Sequence, residues 1–87
     1  MKRDLLLVLV NTRKEKASTV QKILTGWGCI IKTRLGIHDG VLDDCTDTGL
    51  IILELAGDKD KNKELAHKLD ILPGVNARLV ELSVEES

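Results

Sequence analysis

The stretch Leu72-Pro73-Gly74-Val75-Asn76-Ala77-Arg78-Leu79-Val80-Glu81-Leu82 decides the architecture. Pro73 disfavours helix at the residue before it, and Gly74 makes the tight turn that follows. A last strand then runs from Val75 to about Val84, and Glu85-Glu86-Ser87 is expected to fray. On the other side of the turn, Leu65, Ala66, Leu69 and Leu72 form the apolar stripe of a helix. Gly57 and the charged run from Asp58 to Lys63 open that helix, and Gly49 to Ala56 reads as the strand before it.

The chain begins with the same alternation. Leu5 to Val10 is a continuous apolar run, suited to a central strand covered on both faces. Thr12 with Glu15 forms a capping box, in which each side chain satisfies an orphan backbone donor of the first turn. Ala17, Val20, Ile23, Leu24 and Trp27 follow at helical spacing, and Gly26 and Gly28 end the helix. Cys29 to Ile37 reads as the second strand, with Ile31, Thr33, Leu35 and Ile37 on one face and Ile30, Lys32, Arg34 and Gly36 on the other. Across this hairpin Arg34 is placed to pair with Glu54.

The element order is therefore β-α-β-β-α-β in an α+β domain spanning residues 1–87. Its usual solution is a four-stranded antiparallel sheet with both helices on one face. The other face is then wet or covered by a partner. The first strand is apolar at both parities, and the third offers Leu50 and Ile52 at one parity against Ile51, Leu53 and Leu55 at the other. That is more apolar surface than a monomer exposes comfortably, which points to an oligomer interface.

Composition narrows the function. The chain has 87 residues, a single aromatic (Trp27) and a net charge of −1. A core this small, without large rings, gains stability by burying surface between copies. Near-neutral charge gives no electrostatic drive toward nucleic acid or anionic membrane. RNA-recognition modules of this topology stack bases on aromatics of the central strands, and neither central strand carries one. Leu5 to Val10 is too short for a transmembrane helix or a signal-peptide core. Cys29 and Cys45, the only cysteines, lack zinc or disulfide-framework spacing. The expectation is a cytoplasmic protein with reduced thiols. No serine lies beside a histidine to support nucleophilic catalysis, so the chain reads as no enzyme.

Two positions carry binding chemistry. Asn11, Thr12 and Arg13 sit where the first strand meets the first helix, and backbone N–H groups there attract anions that Arg13 can hold from the side. Arg34 and Gly36 lie at the end of the second strand, where glycine allows close approach of a ligand. Residues 38–48 form the longest irregular segment. His38 and Cys45, with Asp39, Asp43, Asp44 and Asp47 between and around them, offer a transition metal its softer ligands, although acidic residues also suit a solvated loop. His67 falls beside the stripe of the second helix and reads as exposed.

The combination Asn11-x-Arg13, Ala17 and Val20, Arg34-x-Gly36, Lys68-Leu69 and Leu72-Pro73-Gly74-Val75 resembles the iron-only hydrogenase system regulators, which are ACT-like, ferredoxin-like domains. The resemblance runs from Leu5 to Leu82. More distantly the chain is similar to the ACT domain and to the regulatory C-terminal domain of the nickel-responsive repressor. The resemblance implies a dimer or tetramer built through sheets, with effector sites near subunit boundaries. The ACT likeness would place an effector near Asn11, Thr12 and Arg13, and the nickel likeness would draw on His38 and Cys45. The function expected is a non-enzymatic regulatory domain, a homodimer or homotetramer that binds a small anionic effector through Asn11, Thr12, Arg13, Arg34 and Gly36. A metal sensor using the 38–47 loop and a protein-interaction module are the alternatives.

Overall fold

The computed structural model describes residues 1–11, 14–38 and 48–85, with the side chains of all of these except 14–17, 38 and 48. Strand β1 (Lys2–Asn11) leads to helix α1 (Lys14–Gly26) and one turn of 3-10 helix over Gly28–Ile30. Strands β2 (Ile31–His38) and β3 (Thr48–Leu55), helix α2 (Lys59–Asp70) and strand β4 (Val75–Ser83) follow. The strands form one antiparallel sheet in the order β2-β3-β1-β4, so β1 and β3 are central and β2 and β4 are edges. This is the ferredoxin-like βαββαβ arrangement of the α+β class that the periodicity predicts.

Alternation along β1 decides which side chains meet the helices. Asp4, Leu6, Val8 and Val10 are buried, whereas Leu5 and Leu7 are half-buried and Leu9 is exposed. The buried row packs with Ile51, Leu53 and Leu55 of β3 and with Val75 and Ala77 of β4. Val20 and Leu24 of α1 and Leu65 and Leu69 of α2 complete the same cluster, so both helices cover one face of the sheet. Trp27 is only half-buried at the edge of this core, with the Lys61 ammonium 6.0 Å from its ring centre. That is the outer limit of a cation–π contact.

Local chemistry sets the ends of α2. The Asp58 carboxylate accepts the Lys61 backbone N–H at 2.9 Å, an N-cap worth about 1 kcal/mol. Beyond the C-terminus, Gly74 takes a φ of 77°, a left-handed conformation that glycine adopts without penalty. Asp70, on the last turn of α2, accepts the Ala77 N–H of β4 at 3.0 Å and ties helix to strand across the turn.

Strand β2 departs from its expected pattern. Gly28–Ile30 form a 3-10 turn, so Cys29 and Ile30 are not the strand residues expected, and Ala56 N–H donates to the Ile30 carbonyl at 2.7 Å. Ile31 then pairs with Leu55 but Thr33 pairs with Glu54, which leaves Lys32 as an extra residue in a β-bulge. The bulge reverses the side-chain parity between Ile31 and Thr33. Ile31 therefore packs against the helix-covered core, while Thr33, Leu35 and Ile37 remain on the other face.

Candidate functional site: the uncovered face of the sheet

The register places four rows of side chains on the face without helices. Leu9 lies between Leu50 and Asn76, with Ile37 beyond Leu50 on β2. Leu7 lies between Ile52 and Arg78, with Leu35 beyond Ile52. Leu5 lies between Glu54 and Val80, and Arg3 lies beside Leu82. The middle of this grid is wholly aliphatic. Leu9 is 47% exposed, Leu35 53%, Ile37 41% and Leu82 51%, so the apolar surface is contiguous and open to solvent. Large apolar patches of this kind mark interaction surfaces.

Polar groups frame the patch. At the Leu5 end, the Arg3 guanidinium grips Glu54 with both arms: Nη2 donates to Oε1 at 2.6 Å and Nε donates to Oε2. Those hydrogen bonds hold the Glu54 carboxyl below its ordinary pKa, against the upward push of burial, and attraction to Arg3 and Lys32 adds to them. Glu54 in turn raises the Arg3 guanidinium. At the opposite end Asn11 shares the parity of Leu5, Leu7 and Leu9 and pairs with Thr48. Along the β4 side stand Arg78 and Asn76, both exposed.

The expected pairing of Arg34 with Glu54 is absent because the two side chains lie on opposite faces. Arg34 is opposite Leu53, whose side chain points into the helix-covered core. Its guanidinium donates instead to the Gln21 side-chain carbonyl on α1. Gly36 follows on the same face, opposite Ile51, and a Cβ there would meet nothing within 4 Å. Asn11 is thus separated from Arg34 and Gly36. Asn11 is on the uncovered face, and five residues of strand separate its row from that of Arg34, about 17 Å at the rise of an extended chain. Thr12, Arg13 and Cys45 lie outside the described residues, and His38 is described only in its backbone, at the end of β2. Among the described residues no group of three or more His, Cys, Asp or Glu side chains could hold a metal ion. His67 is exposed on α2, as its position beside the stripe predicts.

Sequence reading did not find the Arg3–Glu54 fork or the place of Arg78. The parity of Glu54 with Leu50 and Ile52 carried the signal for the first, but the partner depends on the β1–β3 register, which no local pattern encodes.

No model of a protein family matches the chain, and no curated protein matches it. Among solved structures, the uncharacterized protein TM1266 from Thermotoga maritima is similar. The likeness has a TM-score of 0.82 with 26% sequence identity and covers 95% of this chain and 100% of that one. Among the described residues no helix is long and apolar enough to cross a membrane. What the comparison establishes is a shared architecture: the chain has the same small α+β fold as a protein of similar length.

Proposed function

We propose that this chain is a non-enzymatic regulatory domain that assembles with copies of itself and binds a small anionic effector at a subunit boundary. The uncovered aliphatic face carries the reading. Four strands at about 4.8 Å spacing and nine residues at about 3.3 Å give it a flat projection of roughly 570 Å². Side-chain relief increases the accessible area beyond that projection, toward the roughly 800 Å² per partner of a standard stable interface. Packing two such faces together buries the leucines and isoleucines of both copies and leaves the polar frame at the rim, the usual anatomy of an interface.

The motif resemblance to the iron-only hydrogenase system regulators supports a regulatory role for the assembly, in the cytoplasm. The mechanism is population shift, in which the effector binds one assembly state better than another. Asn11, with Thr12 and Arg13 next to it in the chain, lies at the end of the proposed interface. Arg34 and Gly36 form a separate patch beside α1.

A native mass spectrum of the untagged protein, purified without chelator, tests this. The expected result is a dimer or tetramer, with any bound effector seen as added mass that disappears on denaturation. Leu35→Glu/Ile37→Glu is expected to yield a monomer with an unchanged circular dichroism spectrum. A wild-type protein that stays monomeric at high micromolar concentration overturns the reading.

A further inference from the structure

The charges on the uncovered face do not balance. Its strand side chains include two guanidiniums, Arg3 and Arg78, and one carboxylate, Glu54. Arg3 already holds Glu54 through two hydrogen bonds. Arg78 has no carboxylate partner among the described residues; its Nε donates to the Asn76 side-chain carbonyl at 3.3 Å. That contact aligns the guanidinium, and it leaves the terminal Nη groups of Arg78 and the Asn76 amide N–H groups unused.

The surroundings define what such donors can receive. Arg78 stands directly opposite Leu7, Asn76 stands opposite Leu9, and Val80 is the next residue on the same face. Arg78 is exposed beside these aliphatic side chains, and covering the face would make its guanidinium costly to desolvate unless an anion accompanied it. A planar carboxylate matches the guanidinium fork in two parallel hydrogen bonds. The leucines then provide a platform for the rest of the ligand.

We propose that Arg78 and Asn76 bind the head group of a small carboxylate whose aliphatic chain lies across Leu7 and Leu9. These residues are none of the candidates Asn11, Thr12, Arg13, Arg34 and Gly36. The site deepens the assembly reading, on which it rests for the identity of the boundary: β4 is an edge strand, so the head group sits at the rim of the proposed interface and the aliphatic chain reaches inward between the two copies. A carboxylate there neutralises the excess positive charge that each copy brings, and so favours the associated state.

The test is a titration of the full chain, labelled with nitrogen-15, with sodium hexanoate, followed by NMR. Hexanol supplies the same chain without the charge. Saturable shifts of the Arg78 Nε–H signal and of the Leu7 and Leu9 amides are expected with hexanoate, with no saturation by hexanol. Arg78→Gln is expected to weaken hexanoate at least about tenfold, the scale of one charge-assisted hydrogen bond. Arg78→Lys, which keeps the charge but loses the fork, falls between the two. Equal binding of hexanol and hexanoate, unchanged hexanoate affinity in Arg78→Gln, or no saturable shift in the wild type overturns the proposal. Native mass reads assembly and NMR reads the anion, so each idea can fail while the other stands.

Discussion

At the scale of single residues, the least conventional feature of the core is a buried polar pair. Asn62 is fully buried on α2 and Asp4 is 9% exposed on β1. The Asn62 carboxamide donates to Asp4 Oδ2 at 2.9 Å and to the Gly57 carbonyl at 3.1 Å. These bonds fix α2 to the sheet and to the β3–α2 connection at once. They also explain a glycine, since a Cβ at position 57 would come within 2.8 Å of Asn62 Oδ1 and 3.1 Å of the Ile30 side chain. Asn62→Leu removes the only hydrogen-bond donor that Asp4 has among the described residues and leaves its carboxylate buried alone, at a cost of about 3 kcal/mol. The double variant Asp4→Leu/Asn62→Leu replaces the pair by apolar side chains and is expected to recover most of that loss. Urea unfolding of the four proteins in the cycle measures the coupling. Additive losses would mean that the two side chains do not act as a unit. Asn62 was within reach of a sequence reading, because it continues the Leu65 and Leu69 stripe at positions i, i+3 and i+7. A polar residue in a buried stripe is invisible to a search for apolar periodicity alone.

At the scale of elements, the α2–β4 turn and strand β2 differ in how far local sequence governs them. The α2–β4 turn is governed locally: Pro73 stops the helix, Gly74 reverses the chain at a φ of 77°, and Asn11 N–H on β1 donates to the Gly74 carbonyl at 2.8 Å. A β-carbon in that conformation costs about 1–2 kcal/mol, so Gly74→Ala is expected to lose that much stability and Gly74→Asn less, because asparagine tolerates the left-handed region. Equal stability of all three proteins in urea would mean that the turn relaxes to another conformation. Strand β2 is governed from a distance. Its residues alternate well enough to be read as one strand from Cys29, yet the bulge at Lys32 arises only when β2 pairs with β3. That one extra residue turns Ile31 into the core. It also sets Arg34 and Glu54 on opposite faces, which is why the ion pair expected from simple alternation does not form. Turn chemistry is written in adjacent residues; register is written in the partner strand.

At the scale of the whole molecule, the helix-covered core is small and lacks large rings. Among the described residues its largest fully buried side chains are Leu6, Leu24, Leu53, Leu65, Leu69, Val8, Val20 and Asn62, and Trp27 stays at the margin. The uncovered face, by contrast, holds Leu9, Leu35, Ile37 and Leu82 roughly half exposed. The apolar content of the face was legible in the two parities of the first and third strands. Its polar frame was not, because Arg3, Glu54, Arg78 and Asn76 become neighbours only through the β3-β1-β4 pairing. If that face closes on a second copy, folding and association are linked, and stability depends on protein concentration. A tenfold dilution of a dimer that unfolds with dissociation removes about 1.4 kcal/mol of apparent stability, a shift of several degrees for a domain of this size. The thermal midpoint of the wild type is therefore expected to fall with each tenfold dilution, and that of Leu35→Glu/Ile37→Glu to stay constant. A midpoint independent of concentration in the wild type, across a range that brackets dissociation by mass, would mean that association adds nothing to the stability of the fold.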